Sequence, residues 1–298
     1  MSSTFQVRKL YYGEETTYGQ PATVNEVFGL ARSFSAGPEL VAEYIRVGDR
    51  IYHSRLPIGL NFSPRIEFYP LTGKFLKYVF GKVTNTGSSP PYTHTLEIGT
   101  SLKSITVECA VIGTSGVAER AVGVLVDSME FSVDADGVAT VTLDCRARQV
   151  SKVSPYTDPN ISIPNKAPFR FNDMTFSVGG TTYAYVTSAS ITVNNNLEER
   201  PRSGDYVSGF TLTGAEYEAE LELLFEDFTF FDSMISKSVV DAEIRFQRAA
   251  NDYIKFTLDD CLVEWEGEVP FEGDVLTQTV RLRPKNIIVE VKDDIAVY

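Results

Sequence analysis

Residues 204–236 read GDYVSGFTLTGAEYEAELELLFEDFTFFDSMIS. A Gly-Asp turn opens the stretch. Tyr217, Ala219, Leu221 and Leu223 then alternate with Glu218, Glu220 and Glu222. Period two of this kind specifies a strand with one dry face and one wet face. After Phe225 the period changes. Phe228, Phe231, Met234 and Ile235 recur at helical spacing, and Asp227 stands where a carboxylate can meet unpaired helix N–H groups. The unit is a turn, a long strand and a short amphipathic helix.

Residues 48–82, GDRIYHSRLPIGLNFSPRIEFYPLTGKFLKYVFGK, repeat that order. Gly48-Asp49 opens as Gly204-Asp205 does. Phe62, Pro64, Ile66 and Phe68 alternate, and Phe75, Leu76, Val79 and Phe80 follow at helical spacing. Ile66 stands 155 residues before Leu221, as Phe75 does before Phe230. Upstream, Leu40 precedes Gly48 much as Leu197 precedes Gly204. Downstream, Met129-Glu130-Phe131 resembles Val263-Glu264-Trp265, an offset of 134, and Thr140, Thr142 and Arg146 resemble Thr277, Thr279 and Arg283, 137 residues later. Loops of unequal length account for the slip from 155. The chain therefore reads as one β-rich unit present twice.

A length of 298 residues suits two domains, and 43% hydrophobic residues suffice for real cores. The 19 Phe and 15 Tyr favour sheets. A net charge of −13 argues against a protein that grips nucleic acid by its phosphates, and allows one that stays near nucleic acid without adhering. Cys109, Cys145 and Cys261 cannot all pair and lack CxxC spacing, so they read as small buried hydrophobes of a reducing compartment. The N-terminal sequence has no apolar signal core and no run is long enough for a membrane helix, so synthesis in the cytoplasm without a membrane span is expected.

Residues 1–32 hold a polar, turn-rich arm, GEETTYGQPATVNE. An arm of this kind frays or lies on a neighbouring subunit. A first β-domain, arm included, is expected over 1–150. Residues 151–168, SKVSPYTDPNISIPNKAP, form a Pro-rich linker, and a second β-domain runs over 169–298. DADG at 134–137 and Gly179-Gly180 mark tight hairpins. The tail, NIIVEVKDDIAVY, is one more strand that suits an open sheet edge, in this chain or another.

Catalytic patterns are missing. His53 and His94 lack HxxH or HExxH spacing, and GxSxG, P-loop and GxGxxG signatures are absent. No catalytic residue, metal site or cofactor is expected. Glu218, Glu220 and Glu222 are carboxylates of the type glycosidases use, but on one strand face they form a line of like charge with nothing to bury one of them. A solvated face is the preferred reading. Its sharper form is a face lining a space shared by several subunits.

Four segments taken in order resemble the tail tube proteins of long-tailed bacteriophages and related archaeal viruses. Gly13-Glu14-Glu15-Thr16-Thr17-Tyr18-Gly19 looks like that family's GxExTTYG opening. Tyr92-Thr93-His94-Thr95-Leu96 with Leu102–Glu108 looks like its YTHTF…LPSxTVE segment, with Leu96 where Phe is usual. Val126–Asp144 is similar to its strand-hairpin, and Ile191–Glu198 to its itinNnLe segment. The resemblance implies two tandem antiparallel β-sandwich or barrel domains, each with a short flanking helix and a long loop. It further implies a structural virion protein that closes into rings, stacked as the hollow tube through which DNA leaves. A duplicated domain motivates a trimeric, pseudo-sixfold ring, with a hexamer of whole chains as the alternative. Other tail proteins at the tube ends and a tape measure protein in the lumen would be partners. Glu218, Glu220, Glu222 and Glu67 are candidate lumen residues. Candidate contacts between subunits or rings are Tyr18, Asp49, Tyr52, Asp205, Tyr206, Phe210, Ile295 and Tyr298. The rival readings are another ring-forming part of an injection machine and, far behind, a β-sandwich glycoside hydrolase.

Overall fold

A strand that alternates wet and dry side chains leaves one face to bury, and a second layer must cover it. The computed structural model, which describes residues 7–46, 48, 54–112, 116–267 and 276–298, meets this demand with antiparallel strands throughout. The first half contains β1 (Val7–Glu14), β2 (Gly29–Ser35), a hairpin of β3 (Pro38–Ile45) and β4 (Ser54–Phe62), and β5 (Arg65–Pro70). A 3-10 turn at Lys74–Leu76 runs into α1 (Lys77–Phe80). Then come β6 (Gly81–Thr86), β7 (Tyr92–Ile98), β8 (Ile105–Ile112), the long β9 (Val117–Asp134), β10 (Thr140–Arg146) and β11 (Gln149–Val153).

The second half opens with β12 (Met174–Val178), β13 (Thr181–Tyr183) and β14 (Val186–Asn194). A loop follows with four short strands, β15 (Leu197–Glu199), β16 (Arg202–Ser203), β17 (Tyr206–Val207) and β18 (Phe210–Leu212). Then come β19 (Glu216–Leu224), α2 (Thr229–Ser236), β20 (Val239–Ala249), the long β21 (Asp252–Gly267), β22 (Thr277–Arg283) and β23 (Asn286–Asp293).

One layer is an eight-stranded sheet in the order β2–β5–β10–β9–β14–β19–β22–β21. Its dry face is continuous. Ile66, Phe68, Val141, Leu143, Met129, Phe131, Ile191, Val193, Leu221, Val280 and Leu282 are buried on it. The second layer combines β1–β8–β9–β11 with β13–β12–β20–β21–β23–β7–β6. Phe131 spans the layers, 4.8 Å from the Phe246 ring and 5.5 Å from that of Phe256. The strands β9 and β21 are long enough to serve in both layers, and each bends where it crosses.

The two halves share one strand order. The run β2–β5–β10–β9 recurs as β14–β19–β22–β21, and β1–β8–β9–β11 recurs as β12–β20–β21–β23. Registers agree in detail. Phe34 lies opposite Ile66 as Ala189 lies opposite Leu221, and the register slips between Ala31 and Ser33 as it does between Val186 and Ser188. All four equivalences keep the offset of 155 read from the sequence. Leu143 and Val280 oppose Ile66 and Leu221, 137 apart. One sequence match needs correction. Met129 opposes Leu143 and Trp265 opposes Val280, so their offset is 136, not 134. A two-residue slip preserves every side chain's face, so alternation cannot detect it.

The halves are joined twice. β9 pairs with β14, and the C-terminal strand β23 pairs with β7 of the first half, so one apolar core runs through both. The expected boundary at residue 150 falls inside β11. Beyond it the linker is tied down: Asp158 takes Lys9 Nζ and Tyr11 Oη at 2.6 Å each, and Lys166 reaches Asp294 at 2.6 Å. Helix α2 starts as the sequence implied, with Asp227 Oδ1 accepting from the N–H of Thr229 at 2.9 Å.

Candidate functional site

The wet face of the eight-stranded sheet carries polar side chains in continuous rows. One row crosses it strand by strand: Ser33, Glu67, Thr142, Glu130, Thr192 and Glu218, each opposite the next. Parallel rows add Arg65, Asp144, Ser132, Ser190, Glu220, Arg281 and Glu264. All four glutamates singled out in the sequence, Glu67, Glu218, Glu220 and Glu222, stand on this face. Sequence reasoning missed its continuity, because nothing local states that β9 and β14 are neighbours.

The glutamate line is not bare. Arg281 Nε reaches Glu220 at 2.6 Å, and its Nη1 reaches Glu266 at 3.4 Å. Arg283 contacts Glu218 at 3.3 Å and Glu264 at 3.2 Å. Across the sheet, Arg32 pairs with Glu67 at 2.5 Å and Arg65 with Asp144 at 3.3 Å. The Glu220 carboxylate raises the pKa of the Arg281 guanidinium. Pairs this exposed add little stability each. They order the face and leave acidic residues in excess, since Glu130, Glu216 and Glu222 have no ion pair among the described residues.

The sequence motifs converge on the bend of β9. Glu15, almost wholly buried, accepts four hydrogen bonds there: from Ser104 Oγ at 2.8 Å, Thr106 Oγ1 at 2.9 Å, the N–H of Gly123 at 2.8 Å and that of Gly19 at 2.9 Å. Gly123 has φ of 66°, and a Cβ there would sit 2.8 Å from Arg148 and 3.2 Å from the Tyr18 ring. Asn195, also buried, donates through Nδ2 to the carbonyls of Val79 and Val126, both at 3.1 Å. The 13–19 segment is therefore pinned in its own chain rather than frayed. The available signal was a Glu in a Thr- and Gly-rich stretch facing the Ser104-x-Thr106 pair.

The expected contact residues divide. Asp49 and Tyr52, with His53, lie outside the described residues. Tyr18 packs with Leu125, Leu197, Val207 and Phe210, and Phe210 is buried in that cluster. Tyr206 stacks on Phe62 with centroids 6.4 Å apart, and the backbone carbonyl of Asp205 accepts the Leu60 N–H at 3.0 Å. Ile295 packs on the core. Tyr298 is buried, stacked 3.8 Å from His94 and donating to Asp293 Oδ2 at 2.5 Å. The rings of Phe210 and Tyr298 are thus spent inside the chain, because the second half's loop and the C-terminus fold back on the first half. His94 is fully buried, with Nδ1 2.6 Å from Asn85, and serves this anchor.

Other large apolar side chains are exposed. Leu40, Tyr44, Leu56 and Ile58 of the β3–β4 hairpin are exposed, as are Phe228, Ile235, Val239 and Leu262 around α2 and β21. The three thiols are free, and burial pushes that of Cys261 up to about 12. Among the described residues no group of three or more His, Cys, Asp or Glu could hold a metal ion, and no helix is long and apolar enough to cross a membrane.

The family model described as phage tail tube protein matches residues 6–296. No curated protein matches the chain.

Proposed function

The chain belongs to the phage tail tube protein family, whose model covers nearly all of it, and on that premise we propose how it builds the tube. Copies join through the margins of the eight-stranded sheet and close a ring whose lumen is walled by the polar face just described. Rings stack into the tail tube of the virion, and viral DNA passes through without specific binding. The chain is made in the host cytoplasm, meets tape measure protein in the lumen and other tail proteins at the tube ends, and has no catalytic role.

The observation that carries this reading is one continuous sheet, dry on one face and polar on the other, in which β2 and the 263–267 end of β21 lack an outer strand among the described residues. An open edge recruits another strand, and a closed barrel has no edge. Size selects the ring. Three copies supply twenty-four strands, which at ~4.8 Å spacing and usual tilt give a wall about 40–50 Å across. Side chains reaching about 5 Å inward leave a bore that holds a DNA duplex. Six whole chains would give about twice that diameter.

The acidic excess on the wall suits passage, because phosphate binding scales with the cations a surface offers. The β3–β4 hairpin, whose Leu40, Leu56 and Ile58 are exposed, takes part in the contact between neighbouring copies of a ring.

Cryo-EM of the purified chain at high concentration tests the reading. Stacked rings of three chains with Glu130 and Glu218 facing inward are expected. A hexamer of whole chains, or these residues on the outer wall, overturns it. A single ring that never stacks favours a tube-end component instead.

A further inference from the structure

Because the halves share registers, paired strand residues of one have counterparts in the other, and the first half is covered where the second is bare. Leu125 opposes Arg146 as Leu262 opposes Arg283, so Leu125 and Leu262 are counterparts. Leu125 is 9% exposed, packed by Leu197, Val207 and Phe210 of the second half, whereas Leu262 is 54% exposed. Phe80, 155 residues before Ile235, is 0% exposed and Ile235 is 63% exposed. Ser104, next to Ile105 opposite Val124, corresponds to Val239 and repeats the contrast.

The backbone shows the same asymmetry. Met129 of β9 has Val193 of β14 opposite it on its outer edge. Its counterpart Trp265 has β22 on one side, and on the other its N–H reaches Met234 Sδ at 3.4 Å. A thioether is a weak acceptor, so this N–H has no proper strand partner among the described residues. At the opposite end, β2 is the counterpart of β14 but pairs with β5 alone among the described residues. The hairpin after β2 carries exposed Leu40, Leu56 and Ile58, where the loop after β14 carries the buried Leu197 and Phe210.

We propose that a second copy of this chain docks its β2 edge and β3–β4 hairpin onto the β21–α2 surface, repeating between chains the junction that β14 and its loop make with β9 inside one. The partner's identity rests on the tube reading above; the location of the contact rests on the internal repeat. The contact is head-to-tail, so copies close a ring when the rotation per copy permits. It covers Leu262, Val239, Ile235 and Phe228 with the hairpin's apolar side chains, and sets Pro38 at the head of the hairpin, the counterpart of Val193, opposite Trp265.

Cross-linking tests the junction. Within the chain, Ser190 opposes Ser132 and so lies diagonal to Glu130. Their counterparts are Ser35 and Glu266, placed about 7–8 Å apart across the chain-to-chain junction. The double variant Ser35→Cys with Glu266→Cys, on a Cys109→Ser background, should yield covalent dimers and trimers with a short bismaleimide. The ladder should stop at three, and each single variant should stay uncoupled. Leu262→Asp should leave a folded monomer by light scattering and circular dichroism, while Ile163→Asp in the linker still assembles. Tubes of the double-cysteine variant that form without cross-linking, or tubes formed by Leu262→Asp, place the junction elsewhere and overturn the inference while the tube reading stands. A wild-type chain that stays monomeric at every concentration overturns the tube reading itself. Should Leu262→Asp fail to fold, the cross-link decides alone.

Discussion

The two long strands bend at matching places and are held by different means. β9 bends at Gly123, with φ of 66°, and β21 bends at Asp260, with φ of 51°. In both cases a carboxylate accepts the N–H that the bend frees from the ladder: Glu15 for Gly123 at 2.8 Å and Asp241 for Asp260 at 3.0 Å. The bend is required because each strand starts in one layer and ends in the other. The solutions differ in burial. Glu15 comes from 108 residues away, is almost wholly buried and binds three further donors, whereas Asp241 comes from the neighbouring strand and stays exposed. The first bend lies under the second half of the same chain; the second lies where the next copy is proposed to sit. A covered bend needs a fully satisfied buried carboxylate, while an open one can use water.

Substitutions at these bends can break or sharpen that contrast. Glu15→Ala should have the largest effect. Four donors lose their acceptor in a dry site, for a loss of about 4 kcal/mol in denaturant unfolding. Should Glu15→Ala prove no worse than Asp241→Ala, burial would not distinguish the two bends. Gly123→Ala comes next, at about 2 kcal/mol, because the left-handed backbone is strained by any Cβ and this Cβ meets Arg148 and Tyr18.

At the open bend the changes should be smaller. Asp241→Ala should cost about 1 kcal/mol, the net worth of one exposed hydrogen bond. Asp260→Gly should stabilise the fold by up to about 1 kcal/mol by relieving the positive φ. Paired thermal melts of the monomeric Leu262→Asp chain with and without each change would read both.

The smallest effect concerns the linker, whose two ends are tied to different halves. Burial raises the pKa of Asp158, but hydrogen bonds from Lys9 and Tyr11 outweigh it and hold the carboxyl below its ordinary 3.8. The stability from this tie is present above that value and is lost as pH falls through the folded pKa. Asp158→Asn should therefore unfold the chain with a shallower pH dependence than wild type between about pH 5 and pH 2. Parallel curves would mean that the tie is broken in solution.

Much of the fold was legible because its signals are local. The alternation at 217–223, the helical spacing at 228–235, the hairpin at Asp136-Gly137 and the 155-residue echo all reappear in the structure. They depend on periodicity and turn chemistry, which neighbours in sequence decide. The polar face was half legible: Glu218, Glu220 and Glu222 were placed on it, but Arg281 and Arg283 between them and Glu264 were not, since they arrive from strands 60 residues on. The contact residues were least legible. Phe210 and Tyr298 are buried in their own chain, and an aromatic in a loop looks the same in sequence whether it faces solvent or its own chain.

By itself, the sequence determined that the chain is a duplicated antiparallel β unit with a short helix in each copy, and its motifs identified the family. Only the tertiary structure decided that the copies fuse through β9 and β14 into one eight-stranded sheet, which edges stay open, and which leucines are covered. Periodicity states which face of a strand is dry. It is silent about which strand lies beside it, because backbone hydrogen bonds are alike for every partner and long-range packing makes the choice.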